Sequence, residues 1–357
     1  MKKAWSLIAA SSLLLAGCST GNSHSAAPLD SSQYAAILPY EAADMRVKHV
    51  GLISDIDVRT QVEEGLMDLS RQWFKPSENG FKNHVFLDYD ELDATDYSRG
   101  LLGTLRDDNP NGLNPSVDEA FDTGNGTVTG ATILYDLYEL DFYSGDKLNG
   151  ISLGLVVTDA LDQDGTRVEI TREKMDAYVE VCANKLVAYM RERFNEISSS
   201  VPILVAAYEL NTDPDSYSKG GYIYEGYFTG TSGSFQAISQ NHVLVPSSDF
   251  TSLDETMASE FEDFRSKIRS VLPDYTYVTG EALFSADACT ELDLTIESHG
   301  KTAGEILAVI QSAREEMSSF QSVNCTYIVQ VVNNDKVQAI MRREAGSSDV
   351  HVMTTFK

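Results

Sequence analysis

"GISLGLVV", residues 150–157, is the stretch on which the reading of the fold turns. Ile151, Leu153, Leu155 and Val157 recur at period two, the signature of a strand with one apolar face. Met175, Val179, Cys182, Leu186 and Tyr189 follow at helical spacing, and "VPILVAAYEL" (201–210) then reads as a second strand. The same order returns later in the chain. "TELDLTIES" (290–298) alternates Leu292, Leu294 and Ile296, a helix carries Ile306, Ile310, Ala313, Met317 and Phe320, and "CTYIVQVV" (325–332) closes the unit. The helix stripes are offset by 131 residues and the preceding strands by 141; the difference sits in the turn "DALDQDGTRVEI" (159–170) of the first copy.

Upstream of each unit lies another amphipathic stretch: Val62, Leu66, Leu69 and Trp73 before the first, Met257, Phe261, Phe264 and Ile268 before the second. Thr60 with Glu63, and Thr302 with Glu305, have capping-box spacing at two expected helix starts. Pro273 and Gly300 punctuate helix ends. The expectation is an α+β protein of two tandem repeat domains, 46–210 and 211–357, each with helices packed on a small sheet. The copies differ most between helix and strand, by about 78 residues from Trp73 to Ile151 against 24 from Ile268 to Leu292. The excess includes "LLGTLRDDNPNGLNPSVDEAFDTGNGTVTG" (101–130), and a long ordered loop is often functional.

The N-terminus reads as an export signal over 1–17. Lys2 and Lys3 precede an apolar run from Ala4 to Leu15, too short to span a bilayer permanently. Leu15, Ala16 and Gly17 then lead into Cys18, the lipoprotein pattern. Small residues fit a lipoprotein signal peptidase, and the Cys18 thiol would take a diacylglyceryl group. Two acyl chains give lasting anchorage where one binds marginally. Residues 18–45 are expected to form the lipid anchor and a flexible stalk, small, polar and nearly uncharged in 19–35. The body should therefore sit on the extracytoplasmic face of the cell membrane.

Of 357 residues, 42% are hydrophobic, ample for real cores. There are 27 Lys+Arg against 54 Asp+Glu; without Lys2 and Lys3 the balance is 25 against 54, a charge of −29. Such an excess repels nucleic acid and anionic headgroups. Three cysteines remain after Cys18. Cys182 lies on the apolar stripe of its helix, while Cys289 and Cys325 are candidates for a disulfide, two unpaired buried thiols being equally compatible.

No motif supports an enzyme, a metal or a cofactor. "DQDG" (162–165) would place Ala160 and Thr171 at the outer calcium-ligand positions, so it is a turn. "GTSGS" (230–234) lacks the second glycine of a nucleophile elbow and reads as a hairpin turn. The six histidines (24, 49, 84, 242, 299, 351) show no metal spacing. Two segments are candidates for contact with an extracellular ligand: the loop Asn111, Gly112, Leu113, Asn114 and Pro115, and the aromatics Tyr222, Tyr224, Tyr227 and Phe228, whose alternation more often means sheet packing.

Seven segments in order resemble the CamS family of sex pheromone precursor lipoproteins: "LPY" (38–40), "EEGLMDLS" (63–70), "NGLNP" (111–115), "GISLGL" (150–155), "VPI…Y" (201–208), "VPSSDF" (245–250) and "FRSKIRSVLPDYTYVTGEA" (264–282). The resemblance implies a lipid anchor followed by two repeat domains, processed by lipoprotein-processing enzymes. It also implies that the end of the cleaved signal is trimmed to a short hydrophobic peptide promoting conjugative plasmid transfer. Here that peptide would be Ser11, Ser12, Leu13, Leu14, Leu15, Ala16 and Gly17, serine- and leucine-rich where the family's pheromone sources carry Ile and Phe. The alternative is a surface binding module for an unknown envelope or extracellular ligand.

Overall fold

The structure, a computed structural model, describes residues 23–53, 55–93 and 100–355. Leu15, Ala16, Gly17, Cys18 and the segment 11–17 lie outside these. Fourteen strands form one mostly antiparallel sheet. They are β1 (His24–Ser25), β2 (Ala35–Leu38), β3 (Gly80–Asn83), β4 (Leu134–Ser144), β5 (Lys147–Thr158), β6 (Ile203–Leu210), β7 (Ser218–Thr229), β8 (Ser232–Ala237), β9 (Gln240–Val245), β10 (Thr276–Ser285), β11 (Ala288–Ser298), β12 (Thr326–Asn333), β13 (Lys336–Arg343) and β14 (His351–Thr354). Their order in space follows their order in the chain, except that β7 pairs with both β8 and β9 along the same edge. The helices are α1 (Asp44–Lys48), α2 (Ile56–Ser70), α3 (Tyr89–Leu92), α4 (Arg172–Arg193), α5 (Ser248–Leu253), α6 (Glu255–Val271) and α7 (Ala303–Glu316). No helix among the described residues is long and apolar enough to cross a membrane.

The mixed α+β class follows the spacing in the sequence. The quoted stretch lies in β5, α4 crosses over from β5 to β6, and these two strands are parallel. In the second half α7 crosses over from β11 to the parallel β12. Each parallel pair is flanked by antiparallel partners, β4 and β7 in one half, β10 and β13 in the other. The two sets of strands are not separate small sheets. β9 pairs with β7 on one side and β10 on the other, fusing them edge to edge.

Side-chain alternation fixes which face each helix covers. Gly220 of β7 is paired with His242 of β9, on the side of Tyr208 and Tyr222; the next residue, Val243, enters the core beneath α6. So α4, α6 and α7 share one face, and α2 covers the opposite face over the first half, through Val58, Val62 and Leu66. This separates two helices that the sequence pairs. α2 and α6 are not equivalents in space; an apolar stripe at helical spacing is common to any helix with one buried face. The place that α6 fills in the second half is taken in the first by 84–93 and 100–133, whose Phe86, Leu87, Leu92, Leu101, Leu113 and Ile133 join the core under α4. α2 also starts earlier than expected. Asp55 is its N-cap, accepting from the backbone of Asp57 and Val58, so Thr60 and Glu63 lie inside the helix. The Thr302–Glu305 capping box forms as its spacing predicts.

The N-terminal segment is pinned to the sheet by a buried charge. Arg46 donates twice to Asp136 at 2.9 Å, and His49 bridges Asp136 (3.0 Å) and Asp93 (2.6 Å). Asp136 is fully buried, so this pairing is obligatory.

The seam between halves leaves no room for a side chain at Gly221. A Cβ there would lie 2.4 Å from the Gln240 carbonyl oxygen of β9. Gly145, at φ +62°, has nothing within 4 Å of that position. Gly221→Ala should lower the unfolding free energy by roughly 2–3 kcal/mol in urea denaturation. Gly145→Ala should lose only about 1 kcal/mol, the left-handed penalty alone. Equal losses would mean that the seam is not close-packed.

Candidate ligand groove

Because α2 covers only the first half, the same face of the second half is bare beside it. A groove of about 710 Å³ runs between them, within the usual range for small-molecule sites. One wall is a polar stripe of α2, Asp57, Thr60, Gln61 and Glu64, outside its apolar stripe. The floor comes from β9, β10 and β11. On β11 the buried Leu292, Leu294 and Ile296 alternate with Glu291, Asp293 and Thr295, which point into the groove.

Glu281 of β10 is the hub. Its carboxylate accepts from His242 Nδ1 (2.8 Å), Lys219 Nζ (3.0 Å) and Gln61 Nε2, and the Tyr208 hydroxyl donates to Gln61 Oε1 (3.2 Å). Lys219, with only 13% of its side chain exposed, also faces Asp57 (3.4 Å) and Asp55 (3.5 Å). Four elements, α2, β7, β9 and β10, thus meet on one carboxylate, and β6 joins them through Gln61. Burial alone would raise the Glu281 pKa, but the hydrogen bonds and charges of His242 and Lys219 hold it below the ordinary carboxylate value. Burial opposes the charge on Lys219 too, and Glu281 more than restores it.

The other acids have no such partner. The carboxylates of Glu64, Glu291 and Asp293 make no hydrogen bond or ion pair among the described residues. Burial, with Asp68 adding, raises Glu64; burial raises Glu291 against the pull of Arg342. Burial, followed by the charges of Glu291 and Glu281, pushes Asp293 up to about 6. Ionising Asp293 in the folded protein is therefore unfavourable, and none of these three carboxylates is paired directly with a cation among the described residues. These acids are spread along the groove, and no group of three or more His, Cys, Asp or Glu suited to a metal ion occurs among the described residues.

Most of the residues that the sequence offered as ligand contacts turn inward, although Asn111 is exposed. Gly112, Leu113, Asn114 and Pro115 are buried. Asn114 donates to the carbonyls of Leu102 and Leu134 and accepts from the amides of Ile133 and Leu134, which uses its amide group inside the core. Tyr222 donates to the Val62 carbonyl at 2.6 Å, Tyr224 to Glu180, Tyr227 stacks on Trp73 with ring centroids 3.7 Å apart, and Phe228 is fully buried. Cys289 and Cys325 are brought together as thiols, their sulfurs 3.7 Å apart, and Cys182 lies on the buried face of α4. "DQDG" and "GTSGS" both lie at hairpin turns. Sequence reasoning missed the groove, although its signals were present: acids at 57 and 64 beside the apolar stripe of α2, and acids alternating with leucines on β11.

The sequence profile of the CamS sex pheromone cAM373 precursor matches residues 40–349. A sex pheromone precursor from Lactobacillus salivarius subsp. salivarius is similar in structure, with a TM-score of 0.79 at 18% identity, covering 94% of this chain and 99% of that one. The C-terminal domain of the sex pheromone staph-cAM373 precursor from Staphylococcus aureus has a TM-score of 0.68 at 18% identity, covering 84% of this chain and 96% of that one. Among curated protein sequences none matches the chain.

The raised Asp293 sets the sign of a pH effect. An acid whose folded pKa lies above its ordinary value of 3.8 contributes stability that is fully present below that value and lost as pH rises through about 6. Asp293→Asn mimics the protonated form. The variant should therefore melt higher than the parent at pH 7.5, with the difference shrinking towards pH 4. A difference independent of pH would show that Asp293 is not held in its raised state.

Proposed function

The chain belongs to the CamS family of sex pheromone precursors, and on that premise we propose that it is a lipoprotein whose discarded signal is itself a product. Cys18 carries the diacylglyceryl group, the peptidase recognises Leu15, Ala16 and Gly17, and the folded body is held at the extracytoplasmic face of the membrane. Segment 11–17, "SSLLLAG", is the mating peptide that promotes conjugative plasmid transfer. The observation that carries this reading is the family match over 40–349 behind an N-terminus of Lys2, Lys3, an apolar run and Leu15-Ala16-Gly17-Cys18. The two similar strand–helix–strand sets support an origin as tandem copies of one unit. Mass spectrometry of culture medium should find a discrete peptide ending at Gly17 that disappears in a Cys18→Ala strain. Its absence, against a synthetic standard that fixes the detection limit, would reduce the segment to an export address.

A peptide precursor does not need more than 300 folded residues behind its signal, and the groove supports a second task for the body. It acts there as a binding module, without catalysis, for a ligand of chemistry opposite to its lining. Glu64, Glu291 and Asp293 are held along one face without partners, so the matching ligand is a linear organic polyamine with ammonium groups spaced along a chain. Calorimetric titration with spermidine at pH 7.5 should give binding that weakens as pH falls below about 6, where Asp293 protonates. The paired substitution Glu291→Gln with Asp293→Asn should weaken it by up to about thirtyfold, since each lost ion pair is worth up to about 1 kcal/mol. Heat that is absent, or unchanged by the double substitution, would exclude the groove as a polyamine site.

A further inference from the structure

β11 and β12 run parallel as neighbours, and each begins at the same end of the sheet with a cysteine. Cys289 is the second residue of β11, and Cys325 immediately precedes β12. They are 36 residues apart in sequence, with all of α7 between them, yet their sulfurs are 3.7 Å apart and the residues are only 3% and 1% exposed. Cys289 donates to the Glu291 carbonyl at 3.3 Å and Cys325 to that of Thr326 at 3.4 Å. We propose that Cys289 and Cys325 are a redox modification site, closing to a disulfide that ties the starts of the two parallel strands and locks the β11–α7–β12 crossover.

The two side chains already face each other. A disulfide needs the sulfurs at about 2.05 Å, a closure of less than 2 Å. The oxidant is a low-molecular-weight organic disulfide. One cysteine thiolate attacks it, forming a mixed disulfide and expelling one small thiolate. The second protein thiolate then attacks the protein-side sulfur of that bond and expels the other. The two protein thiols lose two electrons and two protons, and the reagent leaves as two small thiols, so the exchange balances. Contact with Cys325 and burial push the Cys289 thiol well above its ordinary range, which slows attack from the closed state. The reaction therefore proceeds when this end of the sheet opens. It is flanked by the turn around Ala286 (φ +53°) and by the 321–324 stretch, where Val323 is 69% exposed. The extracytoplasmic location proposed above decides where the bond would form in a cell; the geometry stands without it.

The test uses the purified full chain, incubated folded with 2-hydroxyethyl disulfide, blocked with an alkylating reagent and digested. A linked peptide joining Cys289 to Cys325 is expected, with a mass loss of about 2 Da, distinct from any product of Cys18 or Cys182. The melting temperature of the oxidised protein should rise by about 5 °C and fall back with reductant, as closing a loop of this length implies. The variant carrying both Cys289→Ala and Cys325→Ala should show no difference between oxidised and reduced samples. If no Cys289–Cys325 peptide forms while denatured protein is oxidised under the same conditions, the site is refuted. A linked peptide without a rise in melting temperature, or a rise that persists in the double variant, refutes the lock.

Discussion

The structure depends on the pairing of β9 with two different neighbours. β7 offers its outer edge to β8 along 224–229 and to β9 only around 218–220, so the two halves meet through a narrow contact. Two features make it firm. Gly221 lets the backbones of β7 and β9 approach where a Cβ would strike the Gln240 carbonyl. Glu281 then gathers Gln61, Lys219 and His242 from three other elements around one buried charge. Removing any one of these donors would leave the carboxylate incompletely satisfied, which makes the hub a point of specificity as much as of stability.

From that seam the asymmetry of the molecule follows. The β5 face opposite α4 presents Ser152, Gly154 and Val156, small enough for α2 to lie close; Ser70 Oγ donates to Ser152 Oγ at 2.7 Å, and Leu66 sits over Gly154. At the corresponding place β11 presents Glu291, Asp293 and Thr295, on which no apolar helix could settle without burying charge. One unit is covered on both faces and the other on one, and the groove is the step between them. The unneutralised acids on that step are a stability liability. A binding role gives a reason for keeping them.

Much of this was legible in the sequence. The period-two runs at 151–157 and 292–296 locate β5 and β11, and the stripes through Met175 and Ile306 locate both crossover helices. The fused sheet was not legible, because strand partnership across β9 depends on a two-residue contact with no local signature. Nor was the placement of α2, since its stripe specifies a buried side but not which sheet face receives it; the decisive residues, Gly154 and Ser152, lie 80 or more positions downstream. "NGLNP" looked like an exposed loop because Asn and Gly favour turns, but Asn114 uses that chemistry to plug the core. Acidic residues are ordinarily read as solvated surface, which hid Glu291 and Asp293 within a pattern that was otherwise read correctly.

The central structural claim is that two similar units share one sheet and unfold as one body, so that the groove between α2 and β11 has fixed walls. Differential scanning calorimetry tests it most directly. The account predicts a single transition whose calorimetric and van't Hoff enthalpies agree, because β9 and the Glu281 hub couple both cores. Two resolved transitions, or a calorimetric enthalpy near twice the van't Hoff value, would mean that the halves unfold independently, and the groove would lose its rigid frame.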